Sequence, residues 1–314
     1  MSNQKNDTNK IYTNPIFVTL CAILCCALWG SATPFIKTGY KLLEVEGTYS
    51  TILFAGVRFT FAGILTALIY SIGRRKVLYP KACNWGRVAT VGAFQTVIQY
   101  IFFYIGLANT SGVKGTIISG SSAFFAILVS SLIFRQEKLT LKKILACIIG
   151  FAGIVVVNLN GLDLNMNFFG DAFVLFSTIS LAVSSTLMKK FSKFEDPVVI
   201  SGYQFIIGGL FMVAFGYLCG GRIVLDSWSA FGVLAYLSLL SAVAYALWGI
   251  LLKHNPVSKV TIFSFMTPVF GVILSQIMLA DEAAGVKLSS VILALVLVCL
   301  GIFMLNYTGK QKQD

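Results

Sequence analysis

Arg58 lies in the middle of a long apolar stretch, where a guanidinium could hold an anionic group. A charge at the centre of a bilayer-length helix costs on the order of 2.5–3.5 kcal/mol, so Arg58 needs a partner. All 12 Asp and Glu residues fall in tails, connections or the ends of apolar runs. Two readings stay open: Arg58 is satisfied by helix-end carbonyls or an end-lying acid such as Glu137 or Asp171, or it meets an anionic group on a ligand. Around it the polar residues come in helical stripes. Gln95/Gln99 and Tyr100/Tyr104 are four apart, Ser238, Ser241, Tyr245 and Trp248 recur at three- and four-residue spacing, and Ser177, Ser180, Ser184 and Ser185 follow the same rule. Such faces turn inward in a membrane, toward other helices or toward water and a small molecule. Serine stripes alone equally suit close helix packing; aromatics beside glutamines favour a cavity. Nothing here supplies acid–base or metal chemistry. The single histidine, His254, is in a connection, and the chain lacks G-x-S-x-G, H-E-x-x-H and P-loop patterns. The expectation is a non-enzyme with no cofactor and no metal.

The elements that position these residues must be membrane helices. The chain is 57% hydrophobic and 11% charged, with mean hydropathy +0.85, far from the balance of a soluble domain. The net charge of +12 reports orientation rather than nucleic-acid binding, because the basic residues sit in short connections. Ten apolar runs, the first from Pro15 to about Ile36 and the last near 287–306, are each long enough to cross a bilayer. Asn14-Pro15, Asp196-Pro197 and Asn255-Pro256 mark helix starts, a capping side chain followed by a residue with no amide to satisfy. Most of the 24 Lys and Arg lie in the tails and alternate connections, among them Arg74, Arg75, Lys76, Lys142, Lys143 and Lys189. The positive-inside bias then puts both termini in the cytoplasm. Trp85 and Trp228 read as interfacial anchors, and Lys37 and Lys190 as snorkelling charges.

The chain also writes one unit twice. Shifted by 145 positions, Tyr100 to Glu137 lies over Tyr245 to Glu282, with polar identities at Lys114/Lys259, Thr116/Thr261, Ser119/Ser264, Ser130/Ser275 and Glu137/Glu282. After a three-residue insertion Ile144-Leu145-Ala146 matches Ile292-Leu293-Ala294, Gly153 matches Gly301 and Asn158 matches Asn306. Arg58-Phe59 falls over Gln204-Phe205 in a weaker echo. The expected organisation is a tail (1–14), a first five-helix repeat (15–158), an external linker (159–167), a second repeat (168–306) and a tail (307–314). With five helices each the copies must be inverted. The fold class is all-α integral membrane.

Leu28-Trp29-Gly30-Ser31, the mid-helix Arg58, Glu137-Lys138-Leu139-Thr140, Gly170-Asp171 and Thr267-Pro268-Val269-Phe270 resemble the drug/metabolite transporter superfamily, EamA-type branch. The resemblance covers roughly residues 17–306. Ala123, where the first copy would carry the proline seen at Pro268, and Asp281-Glu282-Ala283, in place of a Gly-Glu-Pro-type turn, depart from it. It implies a secondary transporter in the plasma membrane that moves small metabolites, commonly outward, through a central cavity lined by helices 1, 3, 4, 6, 8 and 9. The partners implied are a small-molecule substrate and the lipid bilayer, with no nucleic acid. Trp29, Arg58, Gln95, Gln99, Tyr100, Tyr104, Ser184, Tyr245 and Trp248 become the candidate substrate residues. Pro34, Glu137, Pro268 and Glu282 become the candidate hinge and gate residues. Amino acids are the first substrate class suggested, by the arginine and the aromatic lining. With no deep carboxylate, movement down substrate gradients is expected ahead of proton-coupled antiport. Gly216-x-x-x-Gly220 leaves the oligomeric state open.

Overall fold

The computed structural model describes residues 10–110, 112–159, 167–278 and 288–306. Ten helices fill them: α1 Pro15–Leu42, α2 Gly47–Arg74, α3 Ala82–Ala108, α4 Lys114–Ile133, α5 Leu141–Val157, α6 Phe168–Phe191, α7 Pro197–Leu218, α8 Trp228–His254, α9 Val257–Met278 and α10 Leu288–Asn306. Nine of these are long and apolar enough to cross a membrane by length and composition. The tenth, α5, has 17 residues, at the lower edge of what spans a bilayer. Most of the expected linker, both distal tails and the candidate gate residue Glu282 lie outside the described residues.

Helix starts follow the caps only in part. The Asn14 side chain accepts from Ile16 N–H at 2.9 Å and that of Asp196 from Val198 N–H at 2.9 Å. Asn255 does not act this way: its amide donates to the Tyr12 and Leu251 carbonyls. The α9 start is capped by a residue from the other half, described below. Trp228 is almost fully exposed at the α8 start and Trp85 is partly exposed before α3, as befits interfacial residues.

Packing within the bundle repeats on exchanging the first five helices with the last five. α1 packs on α8 and α9 while α6 packs on α3 and α4; α2 packs on α7, and α5 on α10. Close approaches show the direction. Leu53 meets Gly216, Gly56 meets Gly209 and Gly63 meets Gly202, so numbers fall along α7 as they rise along α2. Between α5 and α10, Ala146 meets Gly301 and Gly153 meets Ala294, again antiparallel. Gly56–Gly209 and Gly63–Gly202 map onto each other when each residue is replaced by its partner in the repeat, as do Ala146–Gly301 and Gly153–Ala294, the mark of a pseudo-two-fold relation between inverted halves. Without a hydrophobic drive between helices in lipid, small residues let backbones approach. A Cβ at Gly63 would stand 2.5 Å from the Gly202 carbonyl oxygen.

Two aromatic pairs mark the axis. Phe59 stacks on its equivalent Phe205, centroids 5.0 Å apart and nearly parallel. The hydroxyls of Tyr100 and its equivalent Tyr245 are 3.0 Å apart. A residue touches its own counterpart only where the axis passes.

Candidate functional site

A cavity of about 540 Å³ occupies the centre of the bundle, a volume suited to a small organic molecule. Its walls include Trp29, Arg58, Gln95, Gln99, Tyr100, Tyr104, Tyr245 and Trp248, so eight of the nine expected substrate residues share one space. The ninth, Ser184, does not. It is fully buried and its hydroxyl donates to the Leu181 carbonyl at 2.8 Å. Ser185, one residue and about 100° around α6, lines the cavity in its place.

The aromatic wall is continuous. Trp29 packs edge-on against Tyr245 and Trp248, at 5.1 and 4.9 Å, and Tyr100 lies 5.9 Å from Tyr104. Four buried polar atoms in this lining have no protein partner: Trp29 Nε1, Gln99 Oε1, Ser119 Oγ and Thr267 Oγ1. Leaving a buried polar group unsatisfied costs ~1–3 kcal/mol. The four offer both donors and acceptors.

Arg58 is 3% exposed and meets neither expected acid. Its Nε and Nη2 donate to Ser241 Oγ at 3.3 and 3.0 Å, and its guanidinium lies 4.8 Å from the Phe59 ring centroid. The remaining Nη1 donates to no protein group and borders the cavity. Glu137 and Asp171 are engaged elsewhere, at opposite ends of the bundle. Asp171 pairs with Lys114 at 3.3 Å and accepts from Thr110 and from the Asn167 amide. Lys37, expected only as an orientation charge, lines the cavity. Among the described lining residues the charged ones are Lys37 and Arg58, both positive, with no carboxylate.

Thr116, Ser119, Thr261, Ser264 and Thr267 also line the cavity, and the sequence reading did not place them there. The signal was present. Thr116/Thr261 and Ser119/Ser264 are polar identities between the two copies. They sit where both helices are interrupted: α4 breaks in a turn at Ser121, and α9 passes through a 3₁₀ segment, Ile262–Phe265, after its first α-helical turn Val257–Thr261. Interrupted helices at matching positions in two halves are a general mark of transporter sites. α3 carries its own irregularity, a π-helical stretch at Ala93–Ile98 that contains Gln95, and such stretches cluster at functional sites.

The cavity is closed at one end. Thr33 and Lys37 in its lining are exposed, whereas Met188, Leu252 and Thr261, toward the end where α1 begins, are 2%, 1% and 4% exposed. That end is tied by polar contacts between the halves. Glu137 accepts from the Ser258 amide at 3.0 Å and from its hydroxyl, capping the first turn of α9. It also accepts from Lys143 at 2.6 Å and Ser130 at 3.0 Å. Burial pushes the Glu137 carboxyl up, but the Lys143 and Ser258 hydrogen bonds outweigh it and hold it below its ordinary value. Gln136 also crosses the halves, donating to the Thr186 carbonyl at 3.1 Å, while within the second half Lys189 Nζ donates to the Leu252 and Asn255 carbonyls. Pro34 is buried inside the unbroken α1, off the cavity, while Pro268 lines it just beyond the 3₁₀ turn.

The EamA-like transporter family model matches the chain twice, over residues 16–159 and 168–307. The chain belongs to the EamA-like transporter family. A curated relative from Archaeoglobus fulgidus, named an uncharacterized transporter, is 26% identical over 82% of this chain and 88% of its own. An uncharacterized transporter of Synechocystis is 26% identical over 89% of each chain. A WAT1-related chloroplastic protein of Arabidopsis thaliana is 24% identical over 89% of this chain and 67% of its own. A crystal structure with 16% identity superimposes with a TM-score of 0.74 over 91% of this chain and 97% of that one, a likeness of fold. As an EamA-like transporter, the protein is a multi-pass membrane protein.

Proposed function

We propose that this EamA-like protein is a secondary transporter of amino acids or related carboxylates, working by alternating access between two repeats, residues 15–158 and 168–306. The observation that carries the reading is the cavity lining: an arginine with a free N–H face, unpartnered donors and acceptors, an aromatic wall, and no carboxylate among the described lining residues. A carboxylate on Arg58 would satisfy Nη1 through a charge-assisted hydrogen bond, and the apolar part of the molecule would lie on Trp29, Tyr245 and Trp248. Cations are disfavoured, because cation–π attraction to those rings works against the positive Arg58. Lys and Arg in the connections support a plasma-membrane orientation with both termini cytoplasmic. On this reading the carrier is open outward, and the Glu137–Ser258 contact serves as the cytoplasmic gate with Pro268 as a bend for α9.

The test is counterflow in proteoliposomes, wild type beside Arg58→Gln, over radiolabelled amino acids, nucleosides and cationic dyes with no pH gradient. Exchange of amino acids that the variant loses supports the reading. Movement of nucleosides or dyes alone, or flux only under an imposed pH gradient, would overturn the substrate class or the uncoupled mechanism respectively.

A further inference from the structure

One pair of contacts is symmetric in place and asymmetric in chemistry. Arg58 on α2 donates to Ser241 on α8; at the equivalent positions, Gln204 on α7 accepts from Thr96 on α3 at 2.7 Å. The frame is the same and the charge is not. The cavity reaches Arg58 but not Gln204, which is 0% exposed and whose Nε2 has no partner. In an inverted-repeat carrier each half takes on the conformation the other has left. When the halves trade places, Arg58 therefore enters the setting Gln204 has now, off the cavity and away from its water.

Gln204 tolerates that setting as a neutral amide whose NH2 group is unpaired. A guanidinium there would lose the cavity-facing side of Nη1 to a dry environment, with its charge uncompensated. Among the described residues Ser241 is the one side chain it donates to, and Ser241 already donates to the Leu237 carbonyl at 2.9 Å. An anionic group bound to Nη1 changes the balance, since it neutralises the charge and occupies the donors that would otherwise be stranded.

We infer that Arg58 makes this carrier an exchanger: the empty cavity rests open at the Lys37 end, and the halves trade places only when an anionic group sits on Arg58. The inference rests on the alternating-access reading above. Transport is then the swap of one carboxylate for another across the membrane, with little net flux of an unaccompanied substrate. Because Arg58 and Gln204 are equivalent positions that differ in charge, moving the charge from Arg58 to position 204 shifts the resting orientation toward the opposite face.

The test reads orientation without any ligand. In a chain whose seven cysteines are replaced, Ser264→Cys on the cavity wall reports access to an uncharged, membrane-impermeant maleimide added to one face or the other of sided vesicles. With Arg58 present, labelling from the Lys37 face is expected to be roughly a hundredfold faster than from the opposite face, the ratio a mid-bilayer charge penalty imposes. Arg58→Gln brings the ratio toward one, and Arg58→Gln with Gln204→Arg inverts it. If Arg58→Gln does not fold, Gln204→Arg alone serves, since a charge in both halves also brings the ratio toward one. A ratio near one in the parent, or a parent-like ratio in every folded variant, overturns the inference. Counterflow of L-phenylalanine and L-glutamate in the parent vesicles separates the two readings. Flux with an Arg58-independent ratio sinks the exchanger alone, and no carboxylate flux sinks the transport reading beneath it.

Discussion

Removing Glu137 should open the sealed end of the cavity. Its carboxylate reaches across the halves through two bonds, from the Ser258 amide and the Ser258 hydroxyl, while Ser130 and Lys143 bind it from its own half. Charge-assisted bonds of this kind contribute roughly 1.5 kcal/mol each, so Glu137→Ala should weaken the closed state by about 3 kcal/mol, or roughly a hundredfold in population. Ser258→Ala keeps the amide bond and should cost about half as much. Spin labels at Lys138 and Lys253, both exposed at that end on different halves, report the opening by double electron–electron resonance. The expected result is a longer-distance population that grows from parent to Ser258→Ala to Glu137→Ala, with Glu137→Ala/Ser258→Ala no larger than Glu137→Ala alone. Superimposable distance distributions in all four proteins would refute the assignment of Glu137 as the tie that holds this end closed.

Acid should loosen the same contact. The folded carboxyl of Glu137 is held below its ordinary value, so its stabilisation is complete above the ordinary carboxylate pKa and is lost as pH falls through the depressed one. The melting-temperature difference between parent and Glu137→Gln should be flat from about pH 6 to 8 and shrink below about pH 4; the difference is needed because Glu195, held low by Asn84 and the Lys81 amide against the upward push of burial, adds an acid limb of its own. Gly63→Ala should destabilise the α2–α7 contact by ~2 kcal/mol, since its Cβ meets backbone at 2.5 and 2.7 Å. Gly73→Ala, with nothing within 4 Å, should leave detergent thermostability unchanged, and equal melting of the two variants would contradict the packing argument. Trp29→Phe keeps an aromatic ring but removes the pyrrole part of the indole, with an N–H that no protein group accepts. Stability should hold while half-saturation in counterflow rises roughly tenfold; a large loss of stability with unchanged half-saturation would assign Trp29 to packing instead.

Much of this was legible in the sequence, and the misses have a common cause. Helix number follows from apolar length, and of the eight expected residues that line the cavity, those of α3 and α8 followed from helical spacing plus the rule that polar groups avoid lipid, Arg58 from its charge in mid-helix and Trp29 from the family resemblance. Spacing fixes which residues share a face, but not the rotation of that face to within one residue, which is why Ser184 was taken where Ser185 stands. Arg58 lines the cavity, yet its partner Ser241 lies on a helix 183 positions away, and no local pattern relates them. The same holds for Ser258, which Glu137 caps across 121 positions. The serines and threonines of α4 and α9 were visible as repeated polar identities. Their role was not, because in membrane helices small hydroxyls serve packing and binding with the same spacing, and only the helix interruptions turn them toward the cavity.

The central claim is that the cavity selects a carboxylate through Arg58. The most direct measurement pits two competitors that differ only at that group, L-phenylalanine and L-phenylalaninamide, against counterflow of a transported radiolabelled amino acid. The account predicts inhibition by the acid and little by the amide, a difference that disappears in Arg58→Gln. Equal inhibition by acid and amide in the wild-type protein would contradict it.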